Sequence, residues 1–545
     1  MNILKIFNRK EPNCLLSVFT VFILSFSISQ DAQAQYLYDH EWLFGYNAYP
    51  DGINPDKRFA MNLVSFYQNP PDTIRMPLHG STGSLATVSI ADSQGEILFY
   101  SNGCRLFNSD GSMVEGGEVL LTGDMYETNC YIDENLRYED YLSWVQSRFV
   151  LPMDTKDSTF FFLFQRYEWT HNTNFDEPFP LVAFELHLGI VKKEGAKYVM
   201  ESSDIILDQL FSNGHMTALR STKSNYWWVI VPPHANNNFE VIHLGPDGVD
   251  TIITNYIDFS EMPFVGKRIN SGQAVISPEG DLYAWWSPAD TVGTLVFDFD
   301  RTAGELSNMR HLLHPEKDEY IWGYSTGGGG AAISPNGRFL YINTLNHLYQ
   351  YDLRAEDIEA SKVHIAEFNG FKDPANNFPA YFFIQQLAPD CRIYMSSPNT
   401  VSYLHAINHP NRKGLACDFQ QHSFKLPGNH QFGLPYHPNY RLGTGYPVCD
   451  STLTSTTTVL PEKEGGIRLY PNPARDFAIV EWSGMAPEEI SLYDMSGREV
   501  YSSRMQPGMP EYYLDLSGFS VGVYIVRLRD REGGVVTERL VLMEN

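Results

Sequence analysis

Three features of this 545-residue sequence predict an all-β chain, a seven-bladed β-propeller followed by a small Ig-like β-sandwich. One turn motif recurs at a propeller-like interval, aromatic residues, glycine and proline are abundant, and long amphipathic helical periods are scarce. The motif is clearest between Ser325 and Leu353. There a small-residue strand (Ala331 to Ser334) enters a Ser334-Pro335-Asn336-Gly337 turn, and strands Arg338 to Asn343 and Leu348 to Leu353 follow. Proline pre-sets φ at the first corner of such a turn and glycine accepts the positive φ that closes it, so the stretch predicts a β-meander.

Residues 1–34 have the pattern of a signal peptide. Lys5, Arg9 and Lys10 form a basic start, Leu15 to Ile28 an apolar core, and Ala32-Gln33-Ala34 a cleavage site, which predicts a mature chain from Gln35. No later stretch approaches the roughly 20 apolar residues of a spanning helix, so no membrane span is expected in the mature chain. A formal net charge of −26 repels phosphate backbones and argues against nucleic acid as a partner.

The propeller is expected over 35–450. The apolar residue ending each small-residue strand marks a repeat: Ile90, Leu151, Leu219, Ile276, Ile333 and Leu387, at spacings of 61, 68, 57, 57 and 54 residues. That interval suits four-stranded blades. Val275 to Tyr283 aligns with Ala332 to Tyr341, and more loosely with Gln386 to Tyr394. Strands near Trp42 to Tyr46 and Met61 to Phe66, pairing with strands near Phe432 to Tyr446, would supply a seventh blade and close the ring.

These turns resemble those of the lactonase-like, YVTN-type β-propellers. The block Leu387 to Pro435, with Asn408-His409-Pro410 and Gly433-Leu434-Pro435, is similar to the final blade of secreted propellers common in Bacteroidota. The resemblance implies a fold and no single activity, because this superfold hosts unrelated functions.

Residues 451–466 read as a Ser/Thr-rich linker. Beyond it, 467–545 shows short, evenly spaced strands typical of a small sandwich. Leu469-Tyr470-Pro471-Asn472-Pro473-Ala474, Tyr493-Asp494-Met495-Ser496-Gly497-Arg498 and Gly522-Val523-Tyr524-Ile525-Val526-Arg527 strongly resemble the type A C-terminal sorting domain of type IX secretion substrates. The resemblance makes Pro471, Asn472, Pro473, Gly497, Gly522 and Tyr524 the sorting motif. It implies the type IX machinery as partner of 467–545 and a secreted or outer-membrane-surface location, reached through the Sec route and the periplasm.

Five cysteines remain after the signal peptide. An oxidising compartment permits disulfides, and the local pairs Cys104–Cys130 and Cys391–Cys417 are expected, with Cys449 left over. No metal site or cofactor is expected, since C-x-x-C spacing and a second histidine after His40-Glu41 are both lacking. Gly323-Tyr324-Ser325-Thr326-Gly327 matches a nucleophile elbow by letter only, because a strand rather than a helix follows it. Propeller ligands gather where loops enter the innermost strands, so Arg148, His215, Arg268, Gln273 and Gln385 are the candidate ligand-binding residues. The competing reading is that they hydrogen-bond neighbouring blades. The pairs Trp227-Trp228 and Trp285-Trp286 read as interblade packing.

With no catalytic constellation in view, the sequence predicts a secreted or surface-displayed propeller binding a glycan, peptide or protein through one face. The alternative is a propeller enzyme, a hydrolase or lyase acting on a lactone or polysaccharide, which needs carboxylates or histidines converging at the axis.

Overall fold

A computed structural model describes residues 37–440, apart from 47–57, 68–69, 77–86, 93–95, 131–144, 154–156, 170–180, 235–236, 260–271, 288–292 and 314–328. It also describes 467–543, apart from 471, 473, 476, 483–485, 495–497, 506–510 and 531–533. The chain divides into two compact units, Met1–Asp450 and Ser451–Asn545. The expected signal peptide and linker lie outside the described residues.

The first unit holds seven antiparallel sheets in sequence order. Blade 1 comprises Glu41–Gly45, Met61–Ser65 and Asp72–Met76, and blade 2 Val88–Ala91, Ile97–Ser101 and Leu106–Asn108. Blade 3 comprises Arg148–Pro152, Thr159–Trp169, Leu181–Glu194 and Lys197–Phe211. Blade 4 comprises Thr217–Arg220, Trp227–Val231, Asn238–Gly245 and Gly248–Tyr256. Blade 5 comprises Gln273–Ile276, Leu282–Ser287, Gly293–Asp300 and Glu305–Leu312. Blade 6 comprises Ala331–Ile333, Phe339–Asn343, His347–Asp352 and Val363–Glu367. Blade 7 comprises Gln385–Leu387, Ile393–Met395, Val401–Ile407 and Phe419–His430. Each of the six repeat markers falls in the first strand of its blade. One short helix, α1 (Gly123–Asn129), follows blade 2.

The turn chemistry that marks the repeats is visible atom by atom. In blade 5 the Ser277 hydroxyl accepts from the Asp281 and Leu282 amides, and Gly280 closes the turn at φ 74°. In blade 6 the Ser334 hydroxyl accepts from the Phe339 amide, and Gly337 sits at φ 65°. Blade 7 puts Cys391 in the same left-handed slot at φ 69°. A Cβ there is strained, so this position needs some compensation.

Apolar faces of successive blades bury against each other all the way round. Leu43 and Met61 of blade 1 meet Tyr100 and Phe107 of blade 2. Phe99, Phe160 and Trp227 belong to a core spanning blades 2 to 4. Trp228 and Trp285 share the core between blades 4 and 5, and Trp286 faces blade 6. Period-two alternation therefore turns each tryptophan pair to two opposite, fully packed faces. Blades 6 and 7 share Tyr341, Ile393 and Met395. Tyr394 and Leu404 of blade 7 then pack on Trp42 and Phe66 of blade 1, closing the ring of seven.

Two expectations need correction. Among the described residues the seventh blade is made by the three N-terminal strands alone, with Gly428 and Asn429 of blade 7 bonding to Asn62 and Arg58 beside it. Residues 432–440 do not join that sheet. Cys104 and Cys130 are bridged as expected, but Cys417 is a buried free thiol, whereas Cys391 is disulfide-bonded. The partner of Cys391 lies outside the described residues, as does Cys449. Cys417 is instead packed in the core between blades 6 and 7.

The second unit is a sandwich of two sheets. One contains Ile467–Tyr470, Phe477–Trp482 and Glu511–Asp515, the other Glu499–Arg504, Pro487–Asp494, Gly522–Asp530 and Val535–Leu542. Their inner faces enclose Leu469, Val480, Ile490, Leu514, Val526 and Leu540. Burying such faces is the main stabilising term of a module this small.

Candidate functional site at the propeller axis

The innermost strand of a blade is hydrogen-bonded to its own sheet on one side and turns the other towards the axis. That free edge must find partners. Three glutamines supply them. Gln146 donates to the Ala274 carbonyl (2.6 Å) and accepts from the Ala274 amide (2.7 Å). Gln273 donates to the Gln385 carbonyl (2.6 Å) and accepts from the amides of Ala331 (3.0 Å) and Gln385 (3.2 Å). Gln385 in turn donates to the Gly330 carbonyl and to Asn343 Oδ1. A primary amide carries the donor and acceptor of a peptide group, so Gln146 and Gln273 each stand in for a missing strand, whereas Gln385 acts as a donor alone, its Oε1 having no partner among the described residues.

The axis itself is occupied. Residues 432–440 run along it, parallel to the innermost strand of blade 4 through a Leu219–Asn439 bridge. The Tyr436 amide bonds to Thr87, and the His437 ring to the Ser89 carbonyl at 2.9 Å, both at blade 2. The Asn439 amide bonds to Ala218 of blade 4, and its side-chain amide to the Ser277 and Pro278 carbonyls of the blade 5 turn. The Tyr440 hydroxyl donates to the Val150 carbonyl of blade 3 at 2.8 Å. Tyr436 reaches the Thr217 hydroxyl. A segment that touches the first strands of blades 2, 3 and 4 and the blade 5 turn has no other place to lie than the channel.

Beside this segment remains a cavity of about 70 Å³, lined by Gln273, Ala274, Gln385, His437, Asn439 and their neighbours. It is polar and small. Ordered water fits it, whereas small-molecule sites run to roughly 300 Å³ or more.

Arg148, His215, Gln273 and Gln385 all sit at this inner wall, each at most 2% exposed. Arg268 lies outside the described residues. Arg148 donates to the Gly103 carbonyl and, at 3.4 Å, to the Ser147 hydroxyl; its Nη2 has no partner. Desolvation lowers its pKa to about 10. His215, at φ 59°, meets the Ser212 hydroxyl (3.1 Å) through Nδ1, which the Trp285 indole also reaches at 3.3 Å. Burial depresses its pKa to about 3, so it is neutral in all ordinary conditions.

One arrangement, which no local sequence pattern signals, has the connectivity of a hydrolase triad. On blade 4, Asp250 Oδ2 lies 2.8 Å from His243 Nδ1, and His243 Nε2 lies 3.0 Å from Ser221 Oγ. The imidazole stacks on Trp228 at 4.0 Å, directly across the strand pair. Blade 3 repeats the device: His187 stacks on Phe164, its own cross-strand partner, and bridges Glu185 (2.8 Å) and Ser203 (3.1 Å). The ring nitrogens are exchanged, however, with Nε2 facing the acid in blade 3 and Nδ1 in blade 4. Both rings are fixed by the same two supports, a stacked cross-strand aromatic and an acid–hydroxyl bridge.

In the second unit Asn472 clamps the final strand, donating to the Arg539 carbonyl (2.7 Å) and accepting from the Val541 amide (2.9 Å). The Tyr524 hydroxyl donates to the Ser520 carbonyl at 2.7 Å, and its ring packs edge-on against Phe519. Pro471, Pro473 and Gly497 lie outside the described residues.

Comparison with known proteins gives a match for this unit. Residues 468–543 match the family described as the secretion system C-terminal sorting domain. No curated protein matches the chain. Among solved structures, PorZ of Porphyromonas gingivalis, described as an essential bacterial surface component of the type IX secretion system, is 12% identical, with TM-score 0.31 over 89% of this chain and 63% of that one. The extracellular domain of BT4673 from B. thetaiotaomicron is 10% identical, with TM-score 0.35 over 93% and 56%. A functionally unknown protein from Desulfotomaculum acetoxidans is 10% identical, with TM-score 0.35 over 73% and 99%. The chain thus spans about three fifths of the length of the first two. What the comparisons establish is the tail: the chain carries a C-terminal sorting domain of secreted proteins, at 468–543.

Proposed function

We propose that this protein is a secreted or cell-surface propeller that binds a glycan, peptide or protein partner. A signal peptide over 1–34 takes it to the periplasm, and the type IX machinery, engaging 467–545, takes it across the outer membrane. The observation that carries the reading is the pairing of a sorting domain with a propeller whose axis is filled by its own chain. With the channel occupied, the broad rim and outer strands are the surface offered to a partner, and such surfaces suit macromolecules better than small substrates. Blades packed face to face in a closed ring form a rigid scaffold, so binding would reorganise little of the ring.

The test has two arms. Mature chain probed on glycan and peptide arrays is expected to bind a defined class. Binding to none of them, with turnover of a lactone or polysaccharide, overturns the reading in favour of an enzyme. Deleting 467–545 is expected to leave the protein in the periplasm, and unchanged secretion refutes the export route.

A further inference from the structure

We propose that His347 and His364 form a surface site for a divalent transition metal ion of the zinc class. The two residues lie on neighbouring outer strands of blade 6, diagonal to one another across the ladder that pairs His347 with Glu367 and Tyr349 with His364. A register shift between Leu348 and Tyr349 accompanies that approach. His347 Nδ1 and His364 Nε2 face each other at 3.2 Å in an exposed position.

That separation has a metrical meaning. With zinc–nitrogen bonds of roughly 2.05 Å, two nitrogens 3.2 Å apart subtend about 100° at the metal, near the tetrahedral value of roughly 110°. Both nitrogens can therefore reach one ion once the rings turn their lone pairs from each other towards it. Both imidazoles bind in their neutral form, His347 through Nδ1 with its proton on Nε2, and His364 through Nε2 with its proton on Nδ1. Tyr349 lies against both rings, at centroid distances of 6.1 Å and 5.1 Å, and so restricts their rotation. Preorganisation of this kind lowers the entropy lost on binding.

Two imidazoles leave coordination positions open. No third histidine, cysteine or carboxylate completes a cluster among the described residues, so water fills the remainder. Glu367, across the ladder from His347 and exposed, is the nearest carboxylate by register. Soft or borderline ions are favoured over Mg²⁺ or Ca²⁺, which require oxygen donors.

The experiment is calorimetric titration of metal-free mature chain with Zn²⁺, with Mg²⁺ as control, for the parent, His347→Ala, His364→Ala and the double variant. The parent should bind Zn²⁺ but not Mg²⁺ at one strongest site. Each single substitution should weaken that site roughly tenfold or more. Both side chains are accessible and outside the interblade cores, so the variants should fold, and circular dichroism checks this. A double variant that keeps the strongest site overturns the proposal, as does a parent with no Zn²⁺ binding, or loss in one single variant but not the other. Any of those would leave the pair as a histidine–histidine hydrogen bond.

Discussion

Amide side chains cap inner strand edges of the ring at Gln146 and Gln273, because the groups they must satisfy are backbone N–H and C=O. A carboxylate could accept but not donate, and a lysine could donate but not accept. Histidines in the interior follow the same logic of neutrality. His215, His405 and His430 are each at most 1% exposed, and desolvation pushes their pKa values down to about 3, 3 and 4. Near His405, the rings of His422 and His430 oppose protonation further, and Asp373 favours it weakly at His430. In the unfolded chain all three titrate at the ordinary value near 6.5. Below pH 6.5 the unfolded state therefore binds more protons than the folded one, and stability falls as pH drops until the folded values are reached. Each group contributes about 1.4 kcal/mol per pH unit in that window. Denaturant melts at pH 7, 6 and 5 should show this decline, and His405→Phe should make it shallower, though it also removes the 3.0 Å bond from the His422 amide. A slope unchanged in the variant would mean that these histidines are not what acid attacks.

Among the elements, the Ser-Pro-x-Gly turns were readable from sequence because their chemistry is local. Ser277 and Ser334 bond within five residues, and the positive φ falls where the glycine stands. The segment in the axis was not readable. Pro435 to Tyr440 shows no period, carries prolines at 435 and 438, and finds its partners 150 to 350 residues away in sequence. Of the two cysteine pairings, Cys104–Cys130 held and the second failed for a related reason: proximity in sequence suggested Cys391–Cys417, yet the chain's path buries Cys417 in an apolar core. If the axial segment is structural, Tyr440→Ala should be severe. The side chain is 1% exposed, packs edge-on against Tyr38 and Trp227, and donates to Val150. Large aromatic truncations of this kind cost about 3–5 kcal/mol. Urea unfolding measures it, and a loss under about 1 kcal/mol would mark the segment as dispensable.

At the level of the whole molecule, the short, evenly spaced strands expected over 467–545 are present, Phe477–Trp482 and Val535–Leu542 among them. The clamp by Asn472 explains why asparagine stands between the two prolines, a role that no local pattern reveals. The two units also carry separate interiors. Every residue of the sandwich core lies between Leu469 and Leu542, and the propeller cores are drawn from Tyr38 to Tyr440. Units that share no core unfold independently. Calorimetry of the mature chain should therefore resolve two transitions, and deleting 467–545 should remove one while leaving the other in place. A coupling of 1 kcal/mol would displace the propeller midpoint by about 2–4 °C or less, given its size. A shift larger than about 5 °C on deletion would show that the sorting unit also braces the ring, and export could not then be separated from folding by this truncation.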